Sequence, residues 1–214
     1  GDKIHEQVIT SSPLNPTDIS LTVLLDLIQS LITRSKLSPR QILGIGVCAP
    51  GPLDYHKGIL LSPPNFPGWP DTPLKQIIEQ RFNLPAFLDQ DANACALAEK
   101  WFGATREFDN FVYILGDGGL GGALYFAGDI QRGKNNIVGE IGHTTIDMHG
   151  PICPCGNIGC LELYASPHAV EERIRALITE GNNSFLVNLV NGNLDLISFQ
   201  AIIHAAQQDD PLCR

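Results

Sequence analysis

Long apolar runs are missing from this sequence: no stretch nears the ~20 apolar residues that cross a bilayer. No basic segment followed by a short apolar one of the signal-peptide kind is present, so the expectation is a cytoplasmic protein without a membrane partner. Cations are scarce, with 14 Lys and Arg against 23 Asp and Glu and a net charge of −9. Phosphate backbones are held by clustered Lys and Arg, so this segment is not expected to grip DNA itself. Repeats and low-complexity tracts are absent too, which excludes solenoids and linker-like chains. The remainder suits a globular protein: 214 residues, 43% hydrophobic, are enough for one large domain or two lobes. Six cysteines, half of them in one cluster, fit a reducing compartment better than a disulfide scaffold.

Hydrophobic spacing places the elements. Gly1-Asp2-Lys3 reads as a hairpin turn and Ile4–Thr10 as the strand after it. Helical spacing covers Thr17–Ser35, with Thr17 or Asp18 as its cap. Ile42–Ala49 is a short buried strand ended by Pro50-Gly51-Pro52, and a Pro-rich loop, Ser62–Thr72, holds Asn65 and Trp69. Helix Pro73–Phe82, strand Pro85–Leu88, helix Asp91–Phe102 and strand Phe111–Leu115 follow. Gly116–Gly122 reads as a glycine turn, with Ala123–Ala127 as the returning strand of a hairpin. Ser166–Thr179 is a helix opened by Ser166 and Pro167, Phe185–Val190 adds a helical turn, and Ser198–Gln208 is a further helix. Strands and helices alternating, with hairpins among them, give an α/β fold: a mixed sheet flanked by helices.

The chemistry concentrates in Gly139–Glu162, which reads GEIGHTTIDMHGPICPCGNIGCLE. Cys153, Cys155 and Cys160 fall within eight residues, beside His143, His149, Glu140 and Glu162. Thiolate sulfur and imidazole nitrogen are what tetrahedral structural zinc takes, with four protein ligands and no open position. The C-x-C-x4-C spacing, with Gly156 and Gly159 inside it, lets the backbone curl until three sulfurs face one point. On spacing alone the fourth ligand is His143 or His149. The alternative is unrelated thiols or a local disulfide, for which Cys153 and Cys155 are awkwardly close.

GEIGH followed by CPCGNIGCLE resembles the signature of the ROK family (repressor, open reading frame, kinase), which holds bacterial sugar kinases and sugar-responsive transcriptional repressors. The resemblance covers nearly all of the chain. It implies the ribonuclease-H-like fold of the actin/hexokinase superfamily, two lobes around a sugar cleft, split at about residues 1–88 and 89–214. It also implies a structural zinc on His143, Cys153, Cys155 and Cys160, and sugar contacts from Glu140 and Glu162. D-A-N-A at Asp91–Ala94 matches the family's catalytic-loop motif and puts Asp91 on its base, where a carboxylate takes the proton of a sugar hydroxyl. The family's usual Asn before that Asp is Gln90 here, an amide one methylene longer. Asn65, Gln90, Asp91, Glu140, His143 and Glu162 make up the implied sugar-binding set. The family's first phosphate motif, D-x-G-x-T, would lie before Gly1 and its C-terminal adenosine motif beyond Arg214, so the chain reads as the family core without its ends.

Gly116-Asp117-Gly118-Gly119-Leu120-Gly121-Gly122 matches the family's second phosphate loop, usually G-T-G-x-G-G-G. Gly116, Asp117, Gly118, Gly119 and Gly121 are the implied phosphate-loop set. Such loops aim backbone N–H groups at phosphate oxygens, helped by hydroxyl donors. Asp117 stands where the Thr belongs; ionised, it only accepts, and it repels a γ-phosphate unless magnesium bridges the two. Asp117, Gln90 and the run Trp101–Arg106 (WFGATR), similar to the F-G-A-S segment of the family's repressors, favour the effector-binding domain of a ROK-type regulator. Its DNA-binding helix-turn-helix would lie upstream of Gly1. The alternative is an ATP-dependent hexose or N-acylhexosamine kinase, with ATP and Mg2+ as cofactors and Asp91 as base. On either reading the partner is a sugar or sugar phosphate and the assembly a homodimer or homotetramer.

Overall fold

The computed structural model describes residue 6, residues 17–62 and residues 69–214. The expected turn at Gly1–Lys3, the strand Ile4–Thr10 (Glu6 apart) and Asn65 lie outside the described residues. Two compact units form: the described residues up to Phe111 with Leu124–Val138, and Val112–Ala123 with Gly139–Arg214. The expected lobe boundary near residue 88 falls inside a strand, and the first unit runs on past it.

In the first unit, α1 (Thr17–Ser35) turns Leu21, Leu24, Leu25 and Ile28 to one side, the i, i+3, i+4, i+7 set of an amphipathic helix. These pack on a core of Ala49, Leu53, Leu60, Leu74, Ile78, Ala86 and Leu88. Strand β1 (Ile45–Ala49) begins three residues later than its apolar run, and Leu43 is left 94% exposed. The short antiparallel pair β2 (Leu53–Asp54) and β3 (Ile59–Leu60) follows. Helix α2 (Leu74–Phe82) buries Leu74 and Ile78, one turn apart, and ends on Asn83 in the left-handed conformation. Strand β4 (Ala86–Gln90) then pairs parallel with β1, Ile45 opposite Ala86 and Ala49 opposite Gln90. Its alternation sends Ala86, Leu88 and Gln90 inward and leaves Phe87 exposed. Helix α3 (Asp91–Phe102) starts at the next residue, so β4 delivers Gln90 and Asp91 to the carboxyl end of a parallel pair. Open α/β sheets bind their ligands at such ends.

Strands β5 (Phe111–Asp117), β6 (Gly119–Phe126) and β7 (Asp129–Ile130) form an antiparallel-type hairpin sheet in that order. The expected glycine turn over Gly116–Gly122 is therefore corrected to two strands joined at Gly118 alone, whose φ of +72° suits glycine. The expected mixed sheet is likewise divided: among the described residues, parallel and antiparallel pairs sit in separate small sheets.

The second unit's helices are α4 (Glu162–Ala165), α5 (Pro167–Thr179), α6 (Leu186–Leu189) and α7 (Phe199–Gln207). Ser166 caps α5, its hydroxyl accepting the Ala169 amide, with Pro167 at the first turn as the sequence predicts. Ile174, Leu186, Val190, Ile197, Ile202 and Ala205 make the core. Arg175 and Glu171 of α5 tie it off: Arg175 donates to the carbonyls of Leu194 and Ile197, and Glu171 accepts the Phe199 amide.

Candidate functional site

The second unit places four ligand-type side chains around one point. His143 ends a 3-10 turn, Ile141–His143. Residues 153–160 form a knuckle in which the Cys153 amide donates to Asn157 O and the Gly156 amide to Cys153 O, both at 2.8 Å. Gly159 has a φ of +61°, and a Cβ there would sit 1.7 Å from the Asp147 carbonyl oxygen, so only glycine fits. A bridge between Thr145 and Cys160 brings the end of the knuckle beside the His143 segment. The Asn157 side chain fastens it, donating to His143 O at 3.1 Å and Thr145 Oγ1 at 3.0 Å.

As a result the ligand atoms of His143, Cys153, Cys155 and Cys160 all lie within 4.8 Å of one another, and the group can hold a metal ion. Cys153 Sγ is 3.6 Å from His143 Nδ1, and Cys155 Sγ is 3.8 Å from Cys160 Sγ. His149, the other histidine the spacing allowed, is exposed and outside the group. All six cysteines are free, so there is no local disulfide. The Asn157 amide holds the Cys155 thiol below its ordinary pKa. Burial, then the neighbouring thiols, push Cys160 up to about 12. Thiols crowded this closely resist ionising together unless a cation joins them.

Glu162, two residues after the last cysteine, opens α4. Its Oε2 accepts the Leu120 amide of β6 at 2.8 Å. Glu140 is exposed, with Oε2 4.0 Å from His143 Nε2, the ring nitrogen opposite the thiols. Gly116 and Asp117 end β5, Gly118 makes the bend, and Gly119 and Gly121 lie in β6. Asp117 is exposed and lines a hollow of about 380 Å³ with Glu171, His168 and Phe199.

In the first unit, Gln90 is 7% exposed, and its amide lies over Gly51, where a Cβ would come within 2.3 Å of Nε2. Asn93, buried in the first turn of α3, donates to Asp89 Oδ1 at 3.1 Å and to Gln90 Oε1 at 3.4 Å. Asp89 Oδ2 takes the Arg132 guanidinium at 2.5 Å, and that group lies 4.0 Å over the Tyr55 ring. Asp91 Oδ1 accepts the Ala92 amide at 2.7 Å at the helix start, where the dipole favours a carboxylate. Sequence reasoning named Gln90 and Asp91 but missed Asp89, Asn93, Arg132 and Asn157. For Asn93 and Asn157 the signal was a polar residue inside a motif; for Arg132 there was none.

The chain matches the ROK family over residues 2–214. It belongs to that family. Among ROK proteins it is 36% identical, over 214 residues, to the xylose repressor of Caldicellulosiruptor bescii, covering 100% of this chain and 53% of the repressor. It superposes with a TM-score of 0.79 on a ROK family transcriptional regulator that is a homologue of the E. coli Mlc protein. That likeness has 33% identity and covers 94% of this chain and 49% of the regulator. A ROK glucokinase from Streptomyces griseus, in complex with glucose and AMPPNP, gives a TM-score of 0.76 at 33% identity, covering 90% and 62%. The fold is thus the α/β fold of ROK regulators and kinases, of the actin/hexokinase type. The chain spans about half the length of the repressor it matches.

Proposed function

We propose that this chain is the sugar-sensing, effector-binding part of a ROK-type transcriptional regulator, organised by a structural zinc. The reading rests on the hairpin tip. The run that resembles a phosphate loop carries Asp117 just before its bend, lining a hollow that also contains Glu171, and its Leu120 amide is already committed to Glu162. Like charges about 4 Å apart cost on the order of 4 kcal/mol at an effective dielectric near 20, so this hairpin repels a triphosphate. Likeness to a xylose repressor along the whole chain supports the same reading.

The four-residue cluster fits zinc. With Zn–S near 2.3 Å and Zn–N near 2.0–2.1 Å, a tetrahedron has S···S edges of about 3.8 Å and S···N edges of about 3.6 Å. The Cys155–Cys160 sulfur–sulfur edge is 3.8 Å and the Cys153–His143 sulfur–nitrogen edge 3.6 Å, with every ligand atom within 4.8 Å of the others. His143 would bind through Nδ1, leaving Nε2 for a sugar hydroxyl or Glu140. His143, Cys153, Cys155 and Cys160 would hold the ion with no open position, so that it would steady the loop leading to Glu162 and take no part in chemistry. Gln90, Asp91, Glu140, His143 and Glu162 are the proposed sugar contacts, with Asn65 as a further one; carboxylates suit paired hydroxyls because each accepts several strong hydrogen bonds. DNA contact would belong to a helix-turn-helix upstream, and the regulator would act in the cytoplasm as a homo-oligomer.

The second reading, an ATP-dependent sugar kinase with Mg2+, is favoured by one observation: Asp91 of D-A-N-A sits at the start of α3, at the carboxyl end of a parallel strand pair. A phosphoryl-transfer assay from Mg-ATP to D-xylose and D-glucose, run beside sugar titrations, separates the two. The regulator reading expects sugar binding without transfer. Transfer that disappears in Asp91→Asn establishes the kinase.

A further inference from the structure

We propose that Gly119 and the Leu120 amide are positioning elements of the effector site, making the β5–β6 hairpin the bracket that aims Glu162 at the sugar. This rests on the sugar-binding reading and adds to it, because it gives glycines that resemble a phosphate loop a different task. Contacts inside the second unit carry the inference. The Leu120 amide donates to Glu162 Oε2 at 2.8 Å, joining residues 42 apart in sequence. A Cβ at Gly119 would stand 2.7 Å from that same oxygen.

Gly122 of the same hairpin, and Gly142 facing it, bring the hairpin against the segment that holds Glu140. A Cβ at Gly122 would meet the Gly139 carbonyl oxygen at 2.8 Å and the Ile141 side chain at 2.9 Å, the residues on either side of Glu140. A Cβ at Gly142 would meet Leu120 O at 2.1 Å. Backbone therefore lies against backbone on both sides of the carboxylate-bearing segment. One amide on Oε2 fixes the orientation of the Glu162 carboxylate and leaves its other lone pairs for hydroxyls. An acceptor ordered in advance loses little freedom when a sugar arrives.

Gly119 gives a selective test. Its φ is outside the left-handed region and it lies in a strand, so alanine brings no backbone strain. The atom in the way is the far end of the flexible Glu162 side chain, which swings aside while the fold stays intact. Calorimetric titration with D-xylose and with D-glucose is run on the zinc-loaded native chain, Gly119→Ala, Glu162→Gln and the double variant. Gly119→Ala is expected to weaken binding at least about tenfold, the loss of one well-placed charged hydrogen bond, with zinc content and melting temperature as in the native chain. The double variant is expected to bind no more weakly than Glu162→Gln alone, because Gly119 acts through that side chain. Native-like binding by Gly119→Ala beside a loss in Glu162→Gln overturns the bracket and leaves the sugar reading standing. Additive losses in the double variant overturn it too. A native chain that binds neither sugar overturns the sugar reading itself.

Discussion

Asp89 and Arg132 form a charge pair with both side chains about 15% exposed, at 15% for Arg132 and 14% for Asp89. Asp89 also accepts from Gln90 and Asn93, so the pair braces the strand end that carries Gln90 and Asp91. Arg132→Met leaves the Asp89 carboxylate buried without its cation, and urea unfolding is expected to show a loss of about 3 kcal/mol. A loss under about 0.5 kcal/mol would mean that the pair braces nothing. Cys155→Ser removes one of the four proposed ligands and is expected to lower zinc content and melting temperature together; a fully folded, zinc-free variant contradicts a structural metal. The four residues of the Cys/His cluster were legible in the sequence because Cys and His gathered at short spacing have few other uses. The Leu120–Glu162 bond was not, because it joins a backbone amide to a carboxylate far along the chain, and an amide leaves no mark in a sequence.

Elements with strong periodicity were legible almost to the residue: Thr17–Ser35 and Asp91–Phe102 are helices with the predicted bounds, and Ser166 caps α5. The glycine hairpin was not, because glycines have no side chains to alternate between faces, and a strand of them reads as a turn. Hydrophobicity also misled at Ile42 and Leu43, which extend the apolar run beyond the strand that pairs. The knuckle gives a direct element-level test. Gly159→Ala forces a Cβ into the Asp147 carbonyl, and it is expected to abolish zinc binding although it replaces none of the four proposed ligands; zinc retained at full stoichiometry argues that the knuckle can open. Near the chain's last turn, Asp210 links the start of α6 to the residues after α7, accepting from Ser184 Oγ and from the amides of Phe185 and Leu212. Burial raises its carboxyl, but those amides and the hydroxyl outweigh it and hold the pKa below the usual range. A folded-state pKa lowered in this way stabilises fully above the unfolded value of about 3.9, and the contribution is lost as pH falls through the folded value. Asp210→Asn is therefore expected to lower stability at neutral pH and to flatten its decline below about pH 4. An identical acid limb in the two proteins would contradict that assignment.

At the scale of the whole molecule, family membership follows from a match along nearly the whole chain, and the α/β fold from its structural relatives. The sequence already carried both, because the metal motif is long and specific. What it carried less well is how the parts of the second unit cooperate: metal knuckle, Glu162 and glycine hairpin are separate motifs on paper and one hydrogen-bonded arrangement in space. Zinc is proposed to stiffen that arrangement, so sugar affinity should depend on a metal that never meets the sugar. The measurement to make is a calorimetric sugar titration of the chain before chelation, after zinc removal under conditions that keep it folded, and after zinc is restored. The account predicts binding that is lost with the metal and recovered with it. Equal affinity in the folded, zinc-free chain would contradict it.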